Sequence, residues 1–409
     1  MKKMLVILSI MFCIGVITSA ILAGYIYYNE LKTYTDYDKQ DLNNSALDNV
    51  YIDSVIPIQI EQTQGNGYVE FSQTYVDLLG FAPQYQLNIT TKGKDSYIKL
   101  IQKKEIGLWL GMQDNTARLT IYLPQKAYET LRIHNERGYF QHYSEEYVLS
   151  LENIDIANLN IDIHAADIRL KGNYDHVEVD MNRGSLEMQS DSPAELEVDG
   201  DIKTNLLGEY KNISLINQNG NRVDINTSKP TYLKIRGNNL EIKARGQYDK
   251  IMIDGYQNMI DAKSDSICKL SIEGENNNIT ANGAFKEMTF DTSSSEIDLQ
   301  ATVIPRYIKI FGEYLDTVSV TLPSNIPGFE VKYAVKDQYT KDDMDEAYYN
   351  EAYLSEMEKT IFSDYSVTQN VSPSGEVTYV FGDGSTPILF NCNPQFDLKV
   401  IDGGYSSQK

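Results

Sequence analysis

The sequence predicts an all-β chain: a β-solenoid of two-strand coils, each about 18–20 residues long, with an N-terminal β cap and one N-terminal transmembrane helix. Three observations predict it. Met4 to Tyr28 carries no charge. From Leu159 to Ile310 a pair of apolar residues separated by one other recurs at intervals of 17 to 20. Four positions after the first residue of such a pair stands Gly200, Gly237, Gly255, Gly274 or Gly312, and Asn217 in another unit. Composition narrows the function classes. A net charge of -22 argues against nucleic acid, which needs a basic footprint, and against anionic lipid head groups. With 3 Cys and 4 His, neither a disulfide scaffold nor a zinc-cluster fold is expected.

The elements follow in chain order. Residues 1–3, with Lys2 and Lys3, are expected in the cytoplasm. Residues 4–28 as a helix reach about 37 Å, enough for a hydrocarbon core of about 30 Å. Tyr25, Tyr27 and Tyr28 fall where an aromatic belt sits, and Glu30, Asp36, Asp38, Asp41 and Asp48 follow. The positive-inside rule then leaves the N-terminus inside and the rest exported, as a single-pass cell-membrane protein. A cleaved signal peptide is the competing reading. The run is long for one, and Ile21-Leu22-Ala23 is a poor cleavage site. Phe12 before Cys13 is too bulky for a lipidation motif, and a bridge between Cys268 and Cys392 is not favoured. Residues 29–50 are polar, without apolar repeat, and read as a stalk. Since only three residues precede the helix, any signal is expected to pass through another protein.

Residues 51–124 hold strand-like runs of a different spacing, among them Ile58-Gln59-Ile60, Tyr68-Val69-Glu70-Phe71 and Leu119-Thr120-Ile121-Tyr122-Leu123-Pro124. They read as the cap, with Trp109 as a core anchor. Residues 125–335 read as coils, Leu131/Ile133 and Tyr147/Leu149 leading in. First strands carry Leu159/Ile161, Val177/Val179, Leu196/Val198, Ile213/Leu215, Leu233/Ile235, Ile251/Ile253, Leu270/Ile272, Met288/Phe290 and Ile308/Ile310. Second strands, about nine residues on, carry Ile168/Leu170, Leu186/Met188, Val223/Ile225, Leu240/Ile242, Ile260/Ala262, Ile279/Ala281, Ile297/Leu299 and Val318/Val320, with one unit blurred near Ile202. Alternation with period two means one buried face. A regular sandwich shares that spacing. A turn residue recurring only after first strands favours stacked coils, in which neighbours bury what one coil cannot. Residues 336–365, with Asp342, Asp343, Asp345, Glu346, Glu351, Glu356 and Glu358, read as an acidic helical excursion. Residues 366–403, with Ile388-Leu389-Phe390 and Phe396-Asp397-Leu398-Lys399-Val400, read as closing strands, and 404–409 as a tail.

An exported strand subdomain ending in Leu123-Pro124, then Tyr128-Glu129-Thr130-Leu131-Arg132-Ile133, Gly138 and repeating coils, resembles the bacterial "putative adhesin" family of envelope proteins. The resemblance covers about Val55 to Gly403. It implies a β-solenoid behind one transmembrane helix and a surface role, and carries over no enzymatic residue. The excursion at 336–365 and Asn393-Pro394, where the family tends to place a glycine turn, depart from it.

The chemistry is sparse. Parallel β-helix polysaccharide lyases build sites from carboxylates in a groove walled by long loops, whereas these turns are short, so no enzyme is expected. His134, His142, His164 and His176 stand at different offsets from the strands and form no metal row. Asp383 reads as a turn residue, and Asp343 and Asp345 lack the glycine of an EF-hand loop. If the coils are in register, Asp224, Glu241 and Asp261 form an outward acidic row, the candidate site for a divalent cation and the one cofactor considered. Lys243 and Lys263 point the same way and favour a plain solvated face. The expected function is a non-enzymatic, membrane-tethered, adhesin-like surface facing cell wall, glycan or protein. A signalling accessory acting through a membrane partner is the alternative, and a glycan-active enzyme the third reading.

Overall fold

Strands with one apolar face must bury it. Here the chain does so by laying successive coils parallel, each apolar row on the last. The computed structural model describes residues 11–12, 14–20, 24, 33–43, 47–76, 84–103, 116–135, 147–312, 315, 317–333, 367–371, 377–392 and 397–402. It divides into two units, Met1–Glu145 and Glu146–Lys409.

The first unit contains β1 (Thr33–Asp41), β2 (Asn49–Ser54), β3 (Ile58–Thr63), β4 (Tyr68–Val76), β5 (Tyr85–Lys92), β6 (Asp95–Gln102), β7 (Thr116–Pro124) and β8 (Tyr128–Asn135). One sheet has the order β1-β4-β7-β3. Only β3 and β7 run parallel in it. In the other, β2 lies parallel to both β6 and β8, and β5 folds back antiparallel on β6. Two expectations are corrected. Residues 33–41, assigned to the stalk, form β1, because Gln40 and Asp38 pair with Val69 and Phe71 across a partner strand that needs its edge covered. Leu131 and Ile133, assigned to the coils, are in β8 and pair with Val50 and Ile52 of the first unit. Trp109 lies outside the described residues, as do most of residues 4–28. Helix is described at 11–12, 14–20 and 24. No helix among the described residues is long and apolar enough to cross a membrane.

The second unit is the expected solenoid, of about nine turns spaced by about 19 residues. Its strands are β9 (Val148–Glu152), β10 (Ile156–Gly172), β11 (Tyr174–Asp199), β12 (Lys203–Asn219), β13 (Arg222–Asn238), β14 (Glu241–Asp254), β15 (Met259–Glu275), β16 (Asn278–Ser293), β17 (Glu296–Ala301), β18 (Tyr307–Gly312), β19 (Thr317–Leu322), β20 (Gly328–Tyr333), β21 (Thr368–Val371), β22 (Val377–Gly382), β23 (Thr386–Cys392) and β24 (Asp397–Asp402). The long strands each round a corner, so one strand serves two faces. First-strand residues stack as read from the sequence: Leu233 on Ile251, Ile251 on Leu270, Leu270 on Met288 and Met288 on Ile308. The next residue on Ile308 is Ile388, and on Val318 it is Leu398. The closing strands therefore complete a coil after an interval of 80 residues. Residues 334–366, which contain the whole predicted acidic excursion, and the tail lie outside the described residues.

Second strands show two departures. The blurred unit is Thr204/Leu206, stacked between Leu186/Met188 and Val223/Ile225. Thr204 is fully buried at a position where the repeat predicts an apolar residue. In the fifth unit the stacked pair is Ile242/Ala244, not Leu240/Ile242. Leu240 sits at the corner, where its backbone N–H donates to Asn258 Oδ1 at 2.9 Å. In the next coils Asn258 N donates to Asn277 Oδ1, and Asn277 N to Ser295 Oγ. A buried corner leaves N–H groups without strand partners, and this column of amides and a hydroxyl supplies them.

The opposite corner alternates between two designs. Tyr174, Tyr210, Tyr248 and Phe285 fill it every 36 to 38 residues, and Ala194, Thr231 and Cys268 fill the coils between. Large on small interdigitates without voids, so the structural period is two coils. The coils with small residues carry the bulges that allow the alternation, at Ser190/Ala194, Thr227/Thr231 and Ser264/Cys268. The Tyr210 hydroxyl donates to Met188 O at 3.0 Å and the Tyr174 hydroxyl to Leu151 O at 3.1 Å, tying each coil to the one before. Cys268 is a buried free thiol whose pKa burial pushes up to about 12, which makes it inert at neutral pH.

Candidate functional site

The packed interior leaves chemistry to the outward faces and corners. The predicted row of Asp224, Glu241 and Asp261 is not a row of like charges. Asp224 stacks on Lys243 and Lys243 on Asp261, so the row alternates in sign. Glu241 stands two residues away along the strand, beside Arg222 and Met259. Each carboxylate has a basic partner: Arg222 Nε donates to Asp224 Oδ2 at 2.5 Å, Lys243 Nζ to Glu241 Oε1 at 2.5 Å, and Arg245 Nη2 to Asp261 Oδ2 at 3.0 Å. The Lys243 hydrogen bond, then its charge, lowers the Glu241 pKa. A face already neutralised this way has little to offer a cation.

An acidic row does exist, on the first-strand face. Asp162 stacks on Asp180 in the next coil, with Glu178 one outward position away. Asn160 Nδ2 donates to Glu178 Oε2 at 2.6 Å. Partial burial, then the charges of Asp162, Asp199 and Glu178, raises the Asp180 pKa. A raised folded-state pKa means that the folded chain holds its proton more tightly than the unfolded one, so this contribution is present below about pH 4 and lost as pH rises. Asp180→Asn should therefore stabilise the fold at neutral pH. The gain should stay within about 0.5 kcal/mol, because the site is exposed and screened. Thermal melts at pH 7 and pH 3 check this: the variant's advantage should appear only at pH 7.

His164 Nδ1 lies 3.4 Å from Asn182 Nδ2, His134 belongs to the first unit, and His142 is outside the described residues. Among the described residues no group of three His, Cys, Asp or Glu side chains is arranged to hold a metal ion. Asp383 caps its turn, accepting from Ser385 N at 2.9 Å.

Sequence reading treated the glycine corner only as a turn. There the structure shows an open groove of about 730 Å³. Its floor is Gly237, Gly255 and Gly274 in three successive coils. A Cβ on Gly255 would lie 1.7 Å from Gly237 O, and one on Gly274 1.8 Å from Gly255 O. The coils approach so closely that nothing larger than hydrogen fits, and the missing side chains leave the trough. Its walls carry Asn217, Asn219, Arg236, Asn238, Asp254 and Tyr256. Arg236 Nε donates to Asp254 Oδ2 at 2.9 Å, which leaves the donors of the two terminal guanidinium nitrogens uncommitted by that bond. Asn219 Oδ1 accepts from Asn239 Nδ2 at 3.2 Å, and Asn238 Oδ1 from Tyr256 N at 3.1 Å. Tyr256 is 48 % exposed. Gln218, 1 % exposed, also lines the groove; its Nε2 donates to Ile216 O and its Oε1 has no partner. The signal was present in the sequence as an Asn- and Gly-rich turn holding one aromatic residue, but only coil stacking aligns those turns into one surface.

No family model matches the sequence, and no curated protein matches it. Among solved structures, a chain described as a "putative cell adhesion protein" from Clostridium sporogenes is similar at 8 % identity, covering 90 % of this chain and 98 % of that one, with a TM-score of 0.18. A likeness of that size carries no argument about function. The solenoid that the resemblance to the adhesin family implies is present, and no match places the chain in that family.

Proposed function

We propose that the chain is a non-enzymatic, membrane-tethered binding module whose solenoid presents its outward faces and glycine corner to an extracellular partner, in the manner of an adhesin. The observation that carries this reading is the groove over Gly237, Gly255 and Gly274: an open surface trough with amides, an ion pair and an exposed aromatic ring, set on a rigid stack. Rigid elements hold recognition groups better than loops do. The tether rests on the uncharged run Met4 to Tyr28 behind Lys2 and Lys3.

Two experiments test it. Protease added to intact, wall-stripped cells should degrade residues 51–409 while the N-terminal segment stays with the membrane fraction; protection of the C-terminal part sinks the topology. Cells lacking the chain should be retained less than complemented cells on surfaces coated with envelope polysaccharide or envelope protein. Equal retention on both coatings removes the adhesive role.

A further inference from the structure

We propose that the glycine-corner groove is a binding site for a neutral oligosaccharide, with Tyr256 as the platform on which one sugar ring stacks. The proposal rests on the adhesin-like reading and gives it a ligand class.

The lining groups argue for that class. A sugar offers hydroxyls that both donate and accept, together with an apolar C–H face. The groove offers both kinds of partner. Donors are the Arg236 guanidinium and the Asn219 and Asn238 amides, whose oxygens are already engaged. Acceptors are the second Asp254 oxygen, the exposed Glu275 carboxylate and the Asn217 carbonyl, since Asn217 Nδ2 is committed to Asp199 at 2.5 Å. The Tyr256 ring supplies an apolar surface beside them, the combination a ring with one greasy face requires. Gln218 is an independent sign. It is a buried amide in the groove floor whose oxygen finds no donor within the protein, and buried acceptors are normally satisfied.

Alternatives fit less well. An extended peptide binds by adding a strand, yet the backbone here is spent on neighbouring coils: Gly255 N donates to Glu273 O and Asn239 N to Tyr256 O. An anionic glycan would meet Asp254 and Glu275 against the single cation Arg236, in a chain of net charge -22. The volume falls within the range of small-molecule sites. The walls run from Asn217 to Glu275, over four coils spaced by about 4.8 Å, so an oligomer fits the trough better than a single sugar.

The test uses the purified full-length chain in detergent micelles. Its probes are neutral gluco-, manno-, galacto- and N-acetylglucosamine oligomers, with heparin and polygalacturonate as charged comparators. At least one neutral oligomer should bind. Tyr256→Ala should weaken that binding about tenfold or more, the order expected for a lost stacking platform. Tyr256→Phe should hold it within about threefold of the parent, because the ring remains. Ile267→Ala, at an exposed residue on the opposite corner, should change nothing. Melting temperatures should be equal in all three variants. Binding of the charged polymers alone, binding indifferent to Tyr256→Ala, or no binding by any neutral oligomer overturns the proposal. If no oligomer binds but deleting the chain still abolishes cell retention, the groove assignment fails and the adhesin-like reading stands.

Discussion

Gly274→Ala should unfold much of the solenoid. The added Cβ would lie 1.8 Å from Gly255 O, and the residue sits at φ +126°, a region closed to L side chains. The clash is with backbone, so no rotamer change relieves it. The coils would have to part at the corner and give up ladder bonds on both sides. A loss of about 3–5 kcal/mol is expected, the upper end for a single substitution. In a stack where each coil rests on its neighbours, that loss propagates along the ladder. Gly220→Ala is the matched control. It has φ +69° but nothing within 4 Å of its Cβ, so it pays only the left-handed cost of about 1 kcal/mol. Urea melts of the two variants should differ several-fold in destabilisation. Similar midpoints would mean that close approach between coils is not what requires glycine.

Ile253→Asp should be comparably severe, for a different reason. Ile253 is 2 % exposed, between Ile235 and Ile272 in the adjoining coils. The change removes buried apolar area and places a carboxylate where nothing can pair with it. The cost should be about 4 kcal/mol or more at neutral pH. Burial raises the pKa of the introduced carboxyl above its unfolded value. The penalty should therefore shrink below about pH 4 and be full at neutral pH. Met252→Asp, one residue earlier, points outward and faces Lys234 in the neighbouring coil. It loses the Tyr232 hydroxyl contact to Met252 Sδ at 2.9 Å and should cost no more than about 1 kcal/mol. Guanidinium melts across pH decide it, and equal damage at 252 and 253 would contradict the register described above.

Which face of each strand is buried could be read from residues alone. Apolar spacing of two at Leu233/Ile235, Ile251/Ile253 and Leu270/Ile272, with an interval near 19, leaves one side to bury and needs a stack of neighbours to bury it. The closing strands at Ile388 and Leu398 were legible for the same reason. Register along the strand was not. A slip of one residue turns every side chain over, but a slip of two returns each to its own face, so Leu240/Ile242 and Ile242/Ala244 look alike to a pattern. Only the backbone ladder separates them. It sets Lys243 between Asp224 and Asp261 and makes a charge-paired face of the predicted acidic row. Thr204 stayed hidden because a threonine buried in the stack resembles a surface residue in sequence. The two-coil alternation of Tyr210, Thr231 and Tyr248 was hidden likewise, since packing volume across coils has no counterpart between chain neighbours. The groove belongs to this second class. Asn219, Arg236 and Tyr256 are separated by 17 and 20 positions in the chain and are ordinary turn residues there. They share one surface because glycines at the same place in three coils let the backbones close to contact distance.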